Sequence, residues 1–321
     1  QPMADYDLFN GDADGICALI QLRHAEPRDA QLITGVKRDI DLLKQVDALA
    51  GDRITVLDVS LDTNREDLLR VLAAGAEVFY VDHHFAGAVP SSSGLKSLLN
   101  EAPDVCTSLL INHYLRGAYS QWALVGTFGD NLTKTARGLA KNLDISADQL
   151  ALLESLGRYM NYNGYGADVS ELHFHPAALY RAASVYDSPL HFIADAPETF
   201  EQLEAGYHED LSAARATEPL QSSDKIALFL LPNTPWARRV SGVYSNDLTN
   251  QNPHRAHAVL TEKSGGHYLV SVRAPLNDKQ GAAALCRQFA TGGGREAAAG
   301  VNDLPAGRLD DFIHAFKKAY P

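Results

Sequence analysis

The sequence predicts an α/β protein: an N-terminal domain on a mostly parallel sheet, a linker helix, and a smaller C-terminal α/β domain. Three observations carry this. Short apolar or β-branched runs alternate with helically spaced segments as far as Asp82, the pattern of strand–helix–strand units. A charged amphipathic stretch, Glu198–Thr217, then reads as one long helix that bridges two domains. Beyond it a new set of strands begins with Lys225–Leu231.

Taken in order, Asp7-Leu8-Phe9 is the first strand and runs into a Gly- and Asp-rich turn, and Ile16–Leu22 starts a helix. Gln31–Val36 is β-like and Ile40–Leu49 has helical spacing. Ile54–Leu57 is a strand that stops at Asp58, Asn64–Ala74 is helical, and Glu77–Val81 is a strand that stops at Asp82. Asp104–Leu115, Trp122–Phe128 and Ser146–Leu156 are helices, the last opened by the capping box Ser146-Ala147-Asp148-Gln149. Arg158–Pro197 is rich in Tyr, Asn, Gly, His and Pro and reads as a connecting region of loops. Ala256–Thr261 and His267–Arg273 form a hairpin through Ser264-Gly265-Gly266, and Ala282–Phe289 and Arg308–Lys318 are helical. The expected domains are 3–157, a linker region 158–219 with its connecting helix, and 220–321. There is no internal repeat.

A chain of 321 residues fits two domains at roughly 100–200 residues each. With 45% hydrophobic and 21% charged residues, wholesale disorder is excluded. No apolar run approaches the ~18 residues of a membrane span, so no membrane partner is expected. The acidic N-terminus lacks a basic, then apolar, secretory leader; Gln1-Pro2 ahead of Met3 reads as a cloning remnant. Cys17, Cys106 and Cys286 are odd in number, widely spaced and in apolar contexts, which argues against disulfides and structural zinc and for the cytoplasm. The net charge, 28 − 40 = −12, argues against a protein that coats long nucleic acid. It leaves room for a small phosphate-bearing ligand held by a few local cations or metal ions.

The informative feature is where the acids fall. Asp12 and Asp14 lie in Asn10-Gly11-Asp12-Ala13-Asp14-Gly15, just past the first strand. Asp58 ends one later strand, and Asp82-His83-His84 ends another. Carboxyl ends of parallel strands line one crevice, so three strands deliver acids and imidazoles to one edge. An Asp-Gly pair alone is more often a turn, and a lone acid after a strand is often a helix cap. Coincidence at three strand ends favours a metal centre. Carboxylates with imidazole suit Mn²⁺ or Mg²⁺, and two such ions ~3.5–4 Å apart can activate a water and clamp a phosphoryl oxygen.

The motifs around Asp12 and Asp14, Asp58-Val59-Ser60, and Val81-Asp82-His83-His84 resemble, in order, those of the DHH phosphoesterase family. Gly126-Thr127-Phe128-Gly129-Asp130 resembles the family's fourth motif. Gly292-Gly293-Gly294-Arg295-Glu296 through Gly300, with Val270-Ser271-Val272-Arg273, resembles the DHH-associated C-terminal domain. The resemblance spans nearly the whole chain and is distantly RecJ-like. It implies Asp12 as a ligand of a first metal, Asp14, His83 and Asp130 as ligands of a second, and Asp58 as a bridge. It implies His84 near the scissile phosphate and Asp82 in support of the site. Two departures stand out. Leu8 occupies the place where many members carry a metal-binding His; Asn10 supplies an amide oxygen nearby. Arg295 replaces the usual His after the glycines.

In the second domain, Gly292, Gly293 and Gly294 permit close backbone approach, and a helix N-terminus after them favours an anion. Arg273 and Arg295 then serve phosphate capture. Arg238 and Arg239 read more simply as a solvated loop. His173 and His175 are spaced like a metal pair, but a structural role in the linker is favoured. The Tyr159–Tyr165 segment either stacks on a base or is buried between domains. The expectation is a two-ion Mn²⁺ phosphodiesterase (Mg²⁺ also suits) whose cleft takes short linear oligonucleotides, dinucleotides such as pGpG or pApA, and releases mononucleotides. A homodimer is compatible with this. The other readings are a cyclic dinucleotide phosphodiesterase, a 3′-phosphoadenosine phosphate phosphatase, a RecJ-like exonuclease on long strands, and a nucleotide-binding protein with a decayed metal site.

Overall fold

Along the strands Asp5–Phe9 (β1), Gln31–Ile33 (β2), Arg53–Leu57 (β3), Glu77–Asp82 (β4) and Leu95–Leu99 (β5), neighbouring apolar residues go to opposite faces. Leu8, Val56 and Tyr80 join one core cluster, while Phe9, Leu57 and Val81 join another. In this computed structural model, which describes residues 2–321 and leaves Gln1 outside, the five strands form one all-parallel sheet in the order β2-β1-β3-β4-β5. Helices Ala13–Ala25 (α1) and Leu61–Ala73 (α2) cover its two faces. The α1 face also carries Thr107–Tyr114 (α3), Ser120–Gly129 (α4), Thr133–Ala140 (α5) and Ala147–Tyr162 (α6). Such strands are buried on both faces and so read as continuous apolar runs. The order reverses between β1 and β3, which puts the crevice at the carboxyl ends of those two strands.

A buried ion pair sits inside this sandwich. Asp7 on β1 and Arg23 on α1 are both buried, and the guanidinium donates to the two carboxylate oxygens at 2.6 and 2.8 Å. Two further hydrogens go to Thr55 Oγ1 at 2.9 Å and the Glu26 carbonyl at 3.0 Å. The pair ties the last turn of α1 to the middle of β1.

The chain divides into two compact units, Gln1–Glu204 and Ala205–Pro321. The first is completed by Pro176–Ser184 (α7), Pro189–Asp195 (α8) and the first residues of Pro197–Arg215 (α9). Here the expectation of loops over Arg158–Pro197 is corrected. The prolines that read as breakers are first residues of helices: Pro176 follows His175, whose Nδ1 accepts from Ala177 N, and Pro189 follows the cap Ser188. Tyr159 and Tyr162 are buried inside this unit, against Phe200 and His173. The stretch Ile40–Leu49 departs the other way, with only a single 3₁₀ turn at Leu42–Gln45. Side chains of α2 take the backbone groups a helix would use: Asn64 donates to Ile40 O and accepts from Leu43 N, and Arg70 donates to the carbonyls of Val46 and Leu43.

The second unit holds a six-stranded mixed sheet: Gln221–Ser222 (β6), Ile226–Leu231 (β7), Ala256–Lys263 (β8), His267–Arg273 (β9), Gly292–Gly294 (β10) and Ala298–Pro305 (β11), ordered β10-β11-β9-β8-β7-β6. Helices Pro235–Gln251 (α10), Ala282–Cys286 (α11) and Leu309–Ala319 (α12) pack on it. The β8–β9 hairpin turns through Gly265 and Gly266, both at positive φ (82° and 76°), a turn that suits strand twist. Arg238 and Arg239 lie on α10 rather than in a loop, and Arg239 donates to buried Asp210 at 2.9 and 3.3 Å.

Fully buried His257 on β8 accepts from Arg255 Nε at 3.2 Å through Nε2, which leaves Nδ1–H for Thr249 Oγ1 at 3.4 Å. Burial, and then the Arg255 charge, push its pKa from 6.5 down to about 4. The neutral form is the native one, so the unfolded chain binds the extra proton below 6.5. Stability is full above that pH and is lost as pH falls from 6.5 towards 4. At pH 5 the loss is about 2 kcal/mol. Urea unfolding of wild type and His257→Leu at pH 7.5 and pH 5 checks this: the difference between them should shift by that amount, and an equal difference at both pH values refutes it.

Candidate metal centre

The Asn10–Gly15 turn is built from its own side chains. Asn10 Oδ1 accepts from Asp12 N at 3.2 Å, and Asp12 caps α1 by accepting from Gly15 N at 3.0 Å. Gly15 is required there, since a Cβ would stand 2.2 Å from the Asn10 carbonyl oxygen. Asp12 is therefore a helix cap as well as an acid of the edge. Asn10 Nδ2 donates to the Lys37 carbonyl at 2.9 Å.

Asp14, just inside α1, points at the N-terminus of α3. Its two oxygens accept from Thr107 N at 3.0 Å and Ser108 N at 2.7 Å. An unpaired helix N-terminus is an anion site, here filled by the protein's own carboxylate. Thr107 Oγ1 also donates to Asp58 at 3.1 Å. Asp58 follows β3 with φ 64°, a left-handed conformation that Asp tolerates better than most residues. Such strain at the end of a strand aims a side chain.

At the end of β4, His83 Nδ1 donates to the Val105 carbonyl at 2.7 Å. That bond leaves the Nε2 lone pair facing Asp58 at 3.1 Å and Asp14 at 3.5 Å. Asp130, the residue that ends α4, lies 3.8 Å from the His83 ring. His84 Nδ1 donates to Asp82 at 2.7 Å, and the other Asp82 oxygen accepts from His84 N at 3.1 Å. Asp82 is fully buried and His84 partly exposed, so the imidazole is braced from behind with Nε2 outward.

Two groups of candidate ligand atoms result, each within 4.8 Å mutually: Asp14, His83 and Asp130; and Asp58, Asp82, His83 and His84. The electrostatics fit a cation. Burial, then Asp130 and Asp12, raise Asp14 to about 7. Burial, then the neighbouring acids led by Asp14 and Asp12, push Asp58 well above the carboxylate range. Burial opposes the charge of Asp82 too, but His84 and His83 hold it below its ordinary value. Asp12 is likewise held down despite burial, by Lys37, whose ammonium is hydrogen-bonded to it. Buried carboxylates that raise one another's pKa, beside an imidazole with its lone pair turned inward, form a donor set for a hard divalent ion. Cys17 and Cys106 are buried next to these acids and their thiols stay protonated, so neither is a nucleophile.

In the second unit, Arg273 is anchored: Nε donates to Asn246 at 2.8 Å and Nη1 to Ser271 at 3.0 Å, with Nη2 at 3.5 Å from the Gly242 carbonyl. Gly292–Gly294 are a strand, and the chain turns at Arg295 into β11. The expected helix after the glycines is thus replaced by a strand. Gly292 answers to packing, since a Cβ would meet the Cys286 carbonyl oxygen at 1.6 Å, while Gly293 is open on that side. Sequence reading missed Lys37, Thr107 and Ser108. Lys37 had a signal, because it follows β2 at the same sheet edge as the acids. Thr107-Ser108 had only the look of a helix start.

No protein-family model matches the sequence, and no curated protein matches it. Solved structures do. A DHH-domain protein from a family of ribosomal proteins superposes with a TM-score of 0.71 at 12% identity, over 98% of this chain and 86% of that one. Exonuclease RecJ bound to manganese gives 0.63 at 17%, over 99% and 91%. The pGpG-specific phosphodiesterase PggH from Vibrio cholerae gives 0.54 at 15%, over 98% of both chains. This chain therefore shares the fold of solved DHH-domain proteins, RecJ among them.

Proposed function

We propose that the chain is a divalent-cation-dependent phosphodiesterase that hydrolyses short linear oligonucleotides, dinucleotides such as pGpG or pApA among them, to mononucleotides. The observation that carries this is the pair of ligand groups that meet at buried His83, Asp14 with Asp130 in one and Asp58 with Asp82 and His84 in the other, their acids mutually repelling, at the carboxyl edge of a parallel sheet. The donor set fits Mn²⁺, with Mg²⁺ the alternative. A divalent ion there supplies Lewis-acid polarisation of a phosphoryl oxygen and acidifies a water. His83 is oriented by the Val105 carbonyl to hold it, and Asp14 by the two amides of α3. His84, braced by Asp82 through Nδ1–H, presents Nε2 to the leaving oxygen and, when the ring is protonated on both nitrogens, can deliver the Nε2 proton to it. Arg273, Arg295 and the strand Gly292–Gly294 are proposed to hold the phosphate or base end of the substrate.

The likeness to an exonuclease and to a pGpG-specific phosphodiesterase supports the reaction class. The net charge of −12 supports a short substrate, because few cations are available to track a long strand. No helix among the described residues is long and apolar enough to cross a membrane. The test is hydrolysis, with Mn²⁺, of 5′-phosphorylated linear RNAs of graded length beside cyclic dinucleotides and 3′-phosphoadenosine phosphate. The rate should fall steeply from dinucleotide to longer RNA, by roughly tenfold or more if capture of one end fixes the reacting bond. Equal rates on dinucleotide and long strand favour a RecJ-like exonuclease. Turnover of only the cyclic or bisphosphate substrates reassigns the activity to those, and binding without turnover makes the protein a nucleotide binder.

A further inference from the structure

The loop after His84 carries an aromatic ring in water. Phe85 is exposed, while every other Phe, Tyr and Trp among the described residues is buried or half-buried. A ring so placed forgoes the burial that ordinarily stabilises a phenylalanine. Its position is fixed from both sides. It follows His84, whose imidazole is braced by Asp82. Its carbonyl accepts from Ser60 Oγ at 2.9 Å, and Ser60 stands two residues past Asp58. The backbone of Phe85 therefore lies at the carboxyl ends of β3 and β4, where the acids gather. The rest of the loop is clamped by α2. Arg65 donates to the Ala86 carbonyl at 2.6 Å, to the Ala88 carbonyl at 2.9 Å and to Asp62 at 2.8 Å. Gly87 turns the chain at φ 63°, and a Cβ there would stand 2.4 Å from Arg65 Nη2, so the loop fits closely round the guanidinium. Ala86 is buried in the core of the α2 face, which leaves its neighbour Phe85 on the outside. A loop held in this way does not collapse to bury the ring.

We propose that Phe85 is a stacking platform for the nucleobase of the leaving nucleoside. This rests on the phosphodiesterase reading, in which His84 gives a proton to the leaving oxygen, so that the departing group lies beside the residue after His84. A phenyl face offers neither charge nor hydrogen bond, which suits the flat face of a base and not a phosphate. It reads no base edge, so the contact favours any base over none and does not choose among the four. Because the loop is already ordered, little freedom is lost when the base arrives.

Steady-state kinetics with Mn²⁺ on a 5′-phosphorylated dinucleotide, and on the same molecule with an abasic ribose as its leaving nucleoside, test this. Wild type should favour the base by roughly ten- to a hundredfold in kcat/KM. Phe85→Ala should lose most of that preference, chiefly through KM, with the dinucleotide falling toward the abasic substrate. Phe85→Leu keeps apolar bulk without the flat face and should resemble Phe85→Ala, whereas Phe85→Trp should keep the preference. Thermal melts establish that each variant is folded, as expected for a side chain in water. An undiminished preference in Phe85→Ala, or a wild type that treats both substrates alike, overturns the inference and leaves the phosphodiesterase reading standing. Loss of self-association in Phe85→Ala with the preference intact also overturns it, and makes the ring a contact between copies of the chain. Hydrolysis of neither substrate by wild type overturns the phosphodiesterase reading, and this inference with it.

Discussion

Asp58→Asn is expected to abolish dinucleotide hydrolysis while leaving the protein folded. The carboxylate stands 3.1 Å from the inward lone pair of His83 and accepts from Thr107, so it is central to the donor set. An ion so placed is worth several kcal/mol of charge stabilisation in the transition state. Losing that corresponds to a fall in kcat on the order of a thousandfold. Asn is the informative replacement. It tolerates the positive φ of this position, keeps the acceptor for Thr107, and removes only the charge. Because Asp58 is buried among like charges, stability in the absence of metal should be unchanged or higher. Steady-state kinetics at saturating Mn²⁺, paired with a thermal melt, checks both halves. Near wild-type turnover would remove Asp58 from the centre.

Asp7→Ala is expected to destabilise the first unit by about 3–5 kcal/mol, because it leaves Arg23 buried without its counter-charge. Against a typical total of about 5–15 kcal/mol, that is enough to depress expression and the melting temperature. Replacing both partners with apolar residues, Asp7→Leu with Arg23→Met, should recover most of the loss, since the cost lies in the orphaned charge rather than the missing attraction. Denaturant titration of the single and double variants measures it. A loss under about 1 kcal/mol for Asp7→Ala would mean that solvent reaches the guanidinium.

The parallel sheet was legible because its strands are buried on both faces and end in acids. Leu57 before Asp58 and Val81 before Asp82 mark both the strand and its edge. The Ser146 cap of α6 was legible too, and both of its reciprocal bonds form. What could not be read depended on partners distant in the chain. Nothing local in Ile40–Leu49 announces that Asn64 and Arg70 will satisfy its backbone. Pro176, Pro189 and Pro197 look like breakers until they are seen as first residues of helices. The centre divides in the same way. Acids and imidazoles declare themselves by type and spacing, whereas the groups that orient them are backbone atoms: the Val105 carbonyl and the amides of Thr107 and Ser108. Backbone atoms have no sequence signature. Lys37 differs again: a single lysine after a strand looks like any solvated lysine until the fold brings it to the edge that holds the acids.

The grip of α3 on Asp14 has a bearing on how ion binding and folding are coupled. The contact joins residues 93 apart in sequence, so the loop it closes takes in β2 through β5. Closing a loop of that length costs entropy that two hydrogen bonds between a carboxylate and backbone amides must offset. An ion that binds only the closed arrangement adds its own free energy to that closure. Metal supply would then set how long the start of α3 stays seated against the sheet edge, and the amides of Thr107 and Ser108 would exchange with solvent more slowly as the ion concentration rises. The same bonds that shape the site thus make it a clasp across the first unit, which an ion bound there would tighten.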